Sequence, residues 1–274
     1  MATAPQIGLA AIDSIDSSMA NKLTEQGRSI LIKGPSGVGK TTLACTWPTP
    51  AAFAYFDTNR QTVLDEMRRG KDVKLFFPKD WREYSEVFVA GVKNRQLKVN
   101  TIVIDTIDMA ASRLLWPHLQ GAKVRLTMED FGRGLNSLVN TTNDLLSACH
   151  NRHDGSHYYH VVMCCHERDI TDEAGALLRV APAIMGAFKD IVESLFDTVL
   201  LGKASLVSEN KLVDGRTVSI PTKKFTYYTV SPDNYHTAKG VGLPPIVKGD
   251  YENLLECWNS SLPAAPGQVT EPSK

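Results

Sequence analysis

SILIKGPSGVGKTTLACTW, residues 29–47, sets an apolar run against glycines, a lysine and two threonines. Ser29 to Ile32 reads as a short buried strand, and Thr42 to Trp47 as a helix that Pro48 stops. Between them lie Gly34, Pro35, Ser36, Gly37, Val38, Gly39, Lys40, Thr41 and Thr42, the spacing of a phosphate-binding P-loop. Its glycines let the backbone turn tightly enough for several N–H groups to face one anion. The helix start adds partial positive charge at the same point. Lys40 is then expected to reach the β- and γ-phosphates, and Thr41 to offer its hydroxyl to Mg²⁺. A chance Gly-rich turn would lack the strand before it and the helix after it.

A P-loop leaves its metal half coordinated, and the missing ligand is usually an acid at the end of a buried strand. TIVID, ending at Asp105, supplies one 65 residues after Lys40. A strand-ending Asp can also cap the following helix; Thr41's need for a partner favours the metal role. AAFAYFDT brings Asp57 to the end of another apolar run, and YYHVVMCCH brings His166, followed by Glu167. Strand ends on one edge of an α/β sheet are where ligands bind. His166 is expected to meet the γ-phosphate or the attacking water. Asp57 and Glu167 are the acids read as water-orienting groups, so the catalytic set is Lys40, Asp57, His166 and Glu167.

The remaining pattern alternates strands with helices and implies α/β architecture with a mainly parallel sheet. VKLFF (73–77) is a further strand. Trp81, Tyr84, Phe88 and Val92 mark one helix face, and Phe131, Leu135, Leu138, Thr142, Leu145 and Cys149 another. A helix after Asp105 is expected to end at Trp116, before Pro117. After His166 a turn-rich segment leads to a short helix near 185–194 and then the strand FDTVLLG. Over 205–230 two alternating runs flank Asp214-Gly215, the pattern of a β-hairpin that extends the sheet. Tyr251, Leu254, Leu255 and Trp258 mark a last helix. The divisions are a lead-in over 1–27, a core over 28–262, and a Pro/Gly-rich disordered tail over 263–274.

Lys+Arg and Asp+Glu both number 30, so net charge is zero, which argues against a strongly basic nucleic-acid coat protein. No stretch approaches the ~18 apolar residues of a membrane span. The N-terminus lacks the basic start and apolar core of a secretory signal. Five cysteines without CxxC spacing point to reduced thiols and a cytoplasmic location. Cys164 and Cys165 read as packing residues in a buried strand. Cys149, His150, His153, His157 and His160 stand at short spacings, but match no zinc module and read as a surface loop.

GPSGVGKTTLA, AYFDT, TIVIDTID and VVMCCHE occur in the order of a RecA-like ATPase core. Together with ITDEAGALLRVAPAIMGAFKDIVESLFDTVLL and YHTAKGVGLPP they resemble the phage-encoded AAA-type ATPases of the Sak group, over roughly residues 28 to 258. The resemblance implies ATP and Mg²⁺ as ligands, with Gly34–Thr42 as the Walker A loop, Asp105 as the Walker B acid and His166 in the sensor position. It implies single-stranded DNA as partner in recombination or annealing, a homo-oligomer, a single-strand-binding protein as a further partner, and a bacterial host cytoplasm. Two loops would line the DNA, bringing Lys123 and Arg125, and Arg168 and Arg179; Lys239 would reach a neighbouring subunit's γ-phosphate. Where RecA-like enzymes carry a glutamate, two residues after the second strand's acid, this chain has Asn59. An amide is no base, so slow hydrolysis is expected. The alternative is an ATP-binding regulator or loader with little turnover of its own. A small-molecule kinase would need an arginine-rich lid, which the sequence lacks.

Overall fold

The structure is a computed structural model and describes residues 27–57, 60–150, 158–213 and 216–260. Eleven strands are named in chain order: β1 Ser29–Lys33, β2 Ala51–Tyr55, β3 Val73–Phe76, β4 Thr101–Asp105, β5 His160–Cys165, β6 Glu167–Thr171, β7 Leu177–Pro182, β8 Thr198–Val213, β9 Arg216–Tyr228, β10 Lys239–Gly240 and β11 Ile246–Val247. The main sheet has the order β11-β9-β8-β1-β5-β4-β2-β3. From β3 to β8 every pairing is parallel. β9 then turns back on β8, β11 adds antiparallel to β9, and β10 to the start of β8. The mainly parallel sheet and its C-terminal hairpin extension are as the sequence implies.

Both faces of the sheet are covered, because the period-2 alternation of the strands sends successive apolar residues to opposite layers. Leu31, Ala52, Ile102, Ile104, Val161 and Met163 join one cluster with the helices that carry Tyr84, Phe88, Ile107, Leu138 and Leu145. Ile30, Ile32, Phe53, Val103, Val162 and Cys164 join the other, with Leu43, Trp47, Leu254 and Trp258. At β5 the result is a strand buried on both sides, which places Cys164 and Cys165 in the interior as packing residues. Burial pushes both thiols well above their ordinary pKa.

Three elements differ from the sequence expectation. The helix after β4 does not stop at Pro117 but runs on through Trp116–Gln120. The preceding turns, Ala111–Leu115, are π-helical, and this wider winding relieves the demand for the N–H that proline lacks. The turn-rich segment after His166 is a two-stranded hairpin, β6 with β7, set apart from the main sheet. The P-loop helix is Lys40–Ala44, starting two residues before the expected Thr42. The lead-in before residue 27, the tail, Asn59, the Asp214-Gly215 turn, and His153 and His157 lie outside the described residues. Among the described residues no group of three metal-ligating side chains is found, and no helix is long and apolar enough to cross a membrane.

Candidate nucleotide site

The order β1-β5-β4 sets β5 between the strand that feeds the P-loop and the strand that ends at Asp105. The C-terminal ends of all three meet at one edge, so Gly34, His166 and Asp105 arrive there together. A cavity of about 230 Å³ opens at that edge, lined by Ser36, Gly37, Gly39, Lys40, Thr41, Thr42, Asp57, Thr62, Asp105, Thr106, His166 and Phe225.

Thr41 Oγ donates to Asp105 Oδ2 at 2.8 Å, so the P-loop hydroxyl and the strand-end carboxylate meet within the cavity lining. Asp105 is almost fully buried; burial pushes its pKa up to about 6, although Thr41 and Lys40 pull the other way. Two hard oxygens held together beside a buried carboxylate suit a small divalent cation. Lys40 Nζ donates to the carbonyls of Gly34 and Pro35, both at 2.9 Å, so the loop's own oxygens hold it ready. Burial lowers its pKa below the ordinary lysine value, with Asp105 and Asp108 among the groups opposing this. Gly39 has φ +83, and a Cβ there would lie 2.8 Å from the Phe225 ring; Gly34 has φ +146, and its Cβ would lie 2.7 Å from the Gly202 carbonyl oxygen. The loop is therefore gripped from β8 and β9 at points where no side chain fits.

That grip was not read from the sequence. Phe225 and Tyr227 alternate onto one face of β9. Phe225 lines the cavity, and Tyr227 OH donates to the carbonyls of Val38 and Gly39 at 3.2 and 2.8 Å. The alternation in KFTYY was the available signal. Asp108, three residues after Asp105 in TIVIDTID, also belongs to the site. It accepts from the His166 backbone N–H at 3.0 Å and lies 2.9 Å from its Nδ1.

The other expected residues separate into three groups. His166 and Asp57 line the cavity with Lys40. Glu167 does not: it lies 3.2 Å from the fully buried Lys33, which also contacts Glu193 and Thr237. It lines a second cavity, with Pro35, Ser36, Gly37 and Val38 of the loop, and not the cavity that His166 and Asp57 line. Of the basic residues read as DNA contacts, Lys123 is bonded to both oxygens of the buried Asp130 at 2.6 and 2.9 Å. Arg179 is paired with Asp190, and Arg168 donates to the Ile184 carbonyl at 3.3 Å. Arg125 is exposed. Lys239 is exposed on β10, paired with Val199.

Residues 26–240 match the family model described as AAA domain, AAA_24. The chain belongs to this AAA-domain family. It carries the P-loop ATPase domain expected from the sequence. Among solved structures, the flagellar accessory protein FlaH from Methanocaldococcus jannaschii is similar over 79% of this chain and 91% of that one, at 10% identity and a TM-score of 0.35. No curated protein is similar in sequence to this AAA-domain chain.

Proposed function

We propose that this AAA-domain protein binds and hydrolyses ATP with Mg²⁺, and that it uses the nucleotide to act on single-stranded DNA in phage recombination or annealing. The observation that carries the nucleotide part is the Thr41–Asp105 contact at 2.8 Å beside Lys40. Bound Mg²⁺ would neutralise charge on the β- and γ-phosphates; Thr41 and Asp105 would hold it. Lys40 would exchange the Gly34 and Pro35 carbonyls for phosphate oxygens, and the loop's N–H groups would orient the polyphosphate.

The DNA part is supported by the resemblance to the Sak group and by the exposed Arg125. A neutral monomer exerts little long-range attraction on phosphate. Productive DNA contact therefore belongs to a homo-oligomer that aligns several copies, with a single-strand-binding protein as a further partner in a host cytoplasm. A second reading, an ATP-binding regulator or loader with little turnover, is favoured by the position of Glu167 outside the phosphate cavity. ATP hydrolysis measured with and without single-stranded DNA, with Lys40→Ala as control, separates them. Stimulation by DNA that Lys40→Ala abolishes supports the first reading. Nucleotide binding with no DNA-dependent turnover supports the second.

A further inference from the structure

We propose that Asp108 is a positioning residue for His166, and that the pair supplies the proton acceptor for the water that attacks the γ-phosphate of ATP. The inference rests on the ATPase reading above. Both oxygens of Asp108 are engaged by one residue, through the His166 backbone N–H at 3.0 Å and the ring Nδ1 at 2.9 Å. The two contacts fix the ring's position and plane together.

The chemistry of the partner fixes the tautomer. Asp108 is buried. Burial acts to raise its pKa, but hydrogen bonds from the His166 side chain and backbone outweigh it, and the carboxyl lies below its ordinary range. An ionised carboxylate only accepts hydrogen bonds, so Nδ1 carries the proton shared with Asp108, and the tautomer this selects has its lone pair on Nε2. His166 lines the phosphate cavity, which makes Nε2 the ring atom the cavity can use. Glu167, the adjacent acid, is committed to Lys33, and Asp105 is committed to Thr41. Lys40, Asp57 and Asp105 are the other charged groups around the same space.

In the step, a water proton passes to His166 Nε2 as the water oxygen bonds to the γ-phosphorus. The bond from that phosphorus to the β,γ-bridging oxygen breaks, and ADP leaves with its electron pair. Asp108 stabilises the imidazolium until its proton is released to phosphate or solvent.

Full-length Asp108→Ala, Asp108→Asn, His166→Ala and the Asp108→Ala/His166→Ala double variant test this. The readouts are single-turnover hydrolysis, affinity for Mg²⁺ and ATP, and the ¹⁵N NMR pattern of the His166 ring, assigned by its loss in His166→Ala. Asp108→Ala is expected to slow hydrolysis about 10²-fold, within the range of a lost general base, with nucleotide affinity essentially unchanged. It should add nothing to His166→Ala, and the protonated-Nδ1 pattern should disappear. Asp108→Asn keeps the shape and one acceptor, so it should fold even where the alanine variant does not and should recover part of the rate. Additive losses in the double variant, or an unchanged tautomer in Asp108→Ala, would overturn the dyad. So would wild-type hydrolysis in both Asp108 variants while Lys40→Ala is inactive, which leaves the ATPase reading standing. Hydrolysis that survives Lys40→Ala overturns the ATPase reading itself.

Discussion

Asp105 is held at a cost to the fold. Its carboxyl is raised from 3.8 to about 6 by burial, and a raised acid stabilises the folded state only while it is protonated. That contribution is present below the unfolded value and lost as pH rises through about 6. At pH 8 the buried charge is expected to cost about 3 kcal/mol. Asp105→Asn should therefore raise the thermal midpoint of the nucleotide-free protein at pH 8, by a margin that shrinks towards pH 5, while Mg²⁺-dependent ATP binding collapses. Scanning calorimetry at the two pH values checks it, and an unchanged midpoint would contradict the burial argument. Lys33 poses the opposite case. Its buried ammonium faces Glu167 and Glu193, and removing one partner of a buried ionic cluster typically costs about 3–5 kcal/mol. Lys33→Met is expected to lose that much in urea unfolding; a loss well under 1 kcal/mol would mean that the cluster carries little of the local stability.

At the scale of elements, β9 holds the P-loop from outside the motif. Tyr227 serves two loop carbonyls from a fully buried position. Tyr227→Phe should cost about 1 kcal/mol, since it removes a hydrogen bond to the Val38 and Gly39 carbonyls while Gly39 keeps the Leu43 N–H, and should weaken ATP binding because the loop loses its brace. Denaturation and nucleotide titration on the same variant test both parts, and wild-type ATP affinity in a destabilised variant would limit the brace to stability. The same elements mark what was legible in the sequence. The P-loop, Asp105 and His166 could be read because a strand followed by a specific residue type is a local pattern. Phe225 and Tyr227 reach the loop through the pairing of β9 with β8; the alternation in KFTYY marks a strand face, but a contact at such separation does not show what that face meets. Glu167 lines a different cavity from His166. His166 and Glu167 are adjacent where β5 gives way to β6, and successive side chains of extended chain face opposite sides. The hairpin of β6 and β7 was missed because its turn residues dominated its short strands, and the helix through Pro117 because the π-helical turns that admit proline have no sequence signature as strong as the proline itself.

For the whole molecule, zero net charge and a cavity at one sheet edge put the nucleotide, rather than a basic surface, at the centre of function. DNA affinity is expected to fall with salt, as each neutralised phosphate releases counterion, and to rise with ATP if nucleotide holds copies in register. The ion pairs sharpen this expectation. Arg125→Glu should weaken oligonucleotide binding, whereas Lys123→Ala should act mainly on the Met128–His150 helix, whose first turn is fastened by the Thr127–Asp130 bonds that Lys123 supports. Fluorescence anisotropy across salt, with and without ATP, distinguishes the two variants; equal effects on DNA would contradict the assignment. Thr41, Asp105 and Lys40 are expected to form one Mg²⁺–ATP site. Its most direct test is calorimetric titration of ATP into the full-length protein with Mg²⁺ and with EDTA, beside Lys40→Ala. Binding that requires Mg²⁺ and falls by at least about tenfold in the variant, a change of about 1.4 kcal/mol, is the expected result. Equal affinity in the variant, or binding indifferent to Mg²⁺, would contradict it.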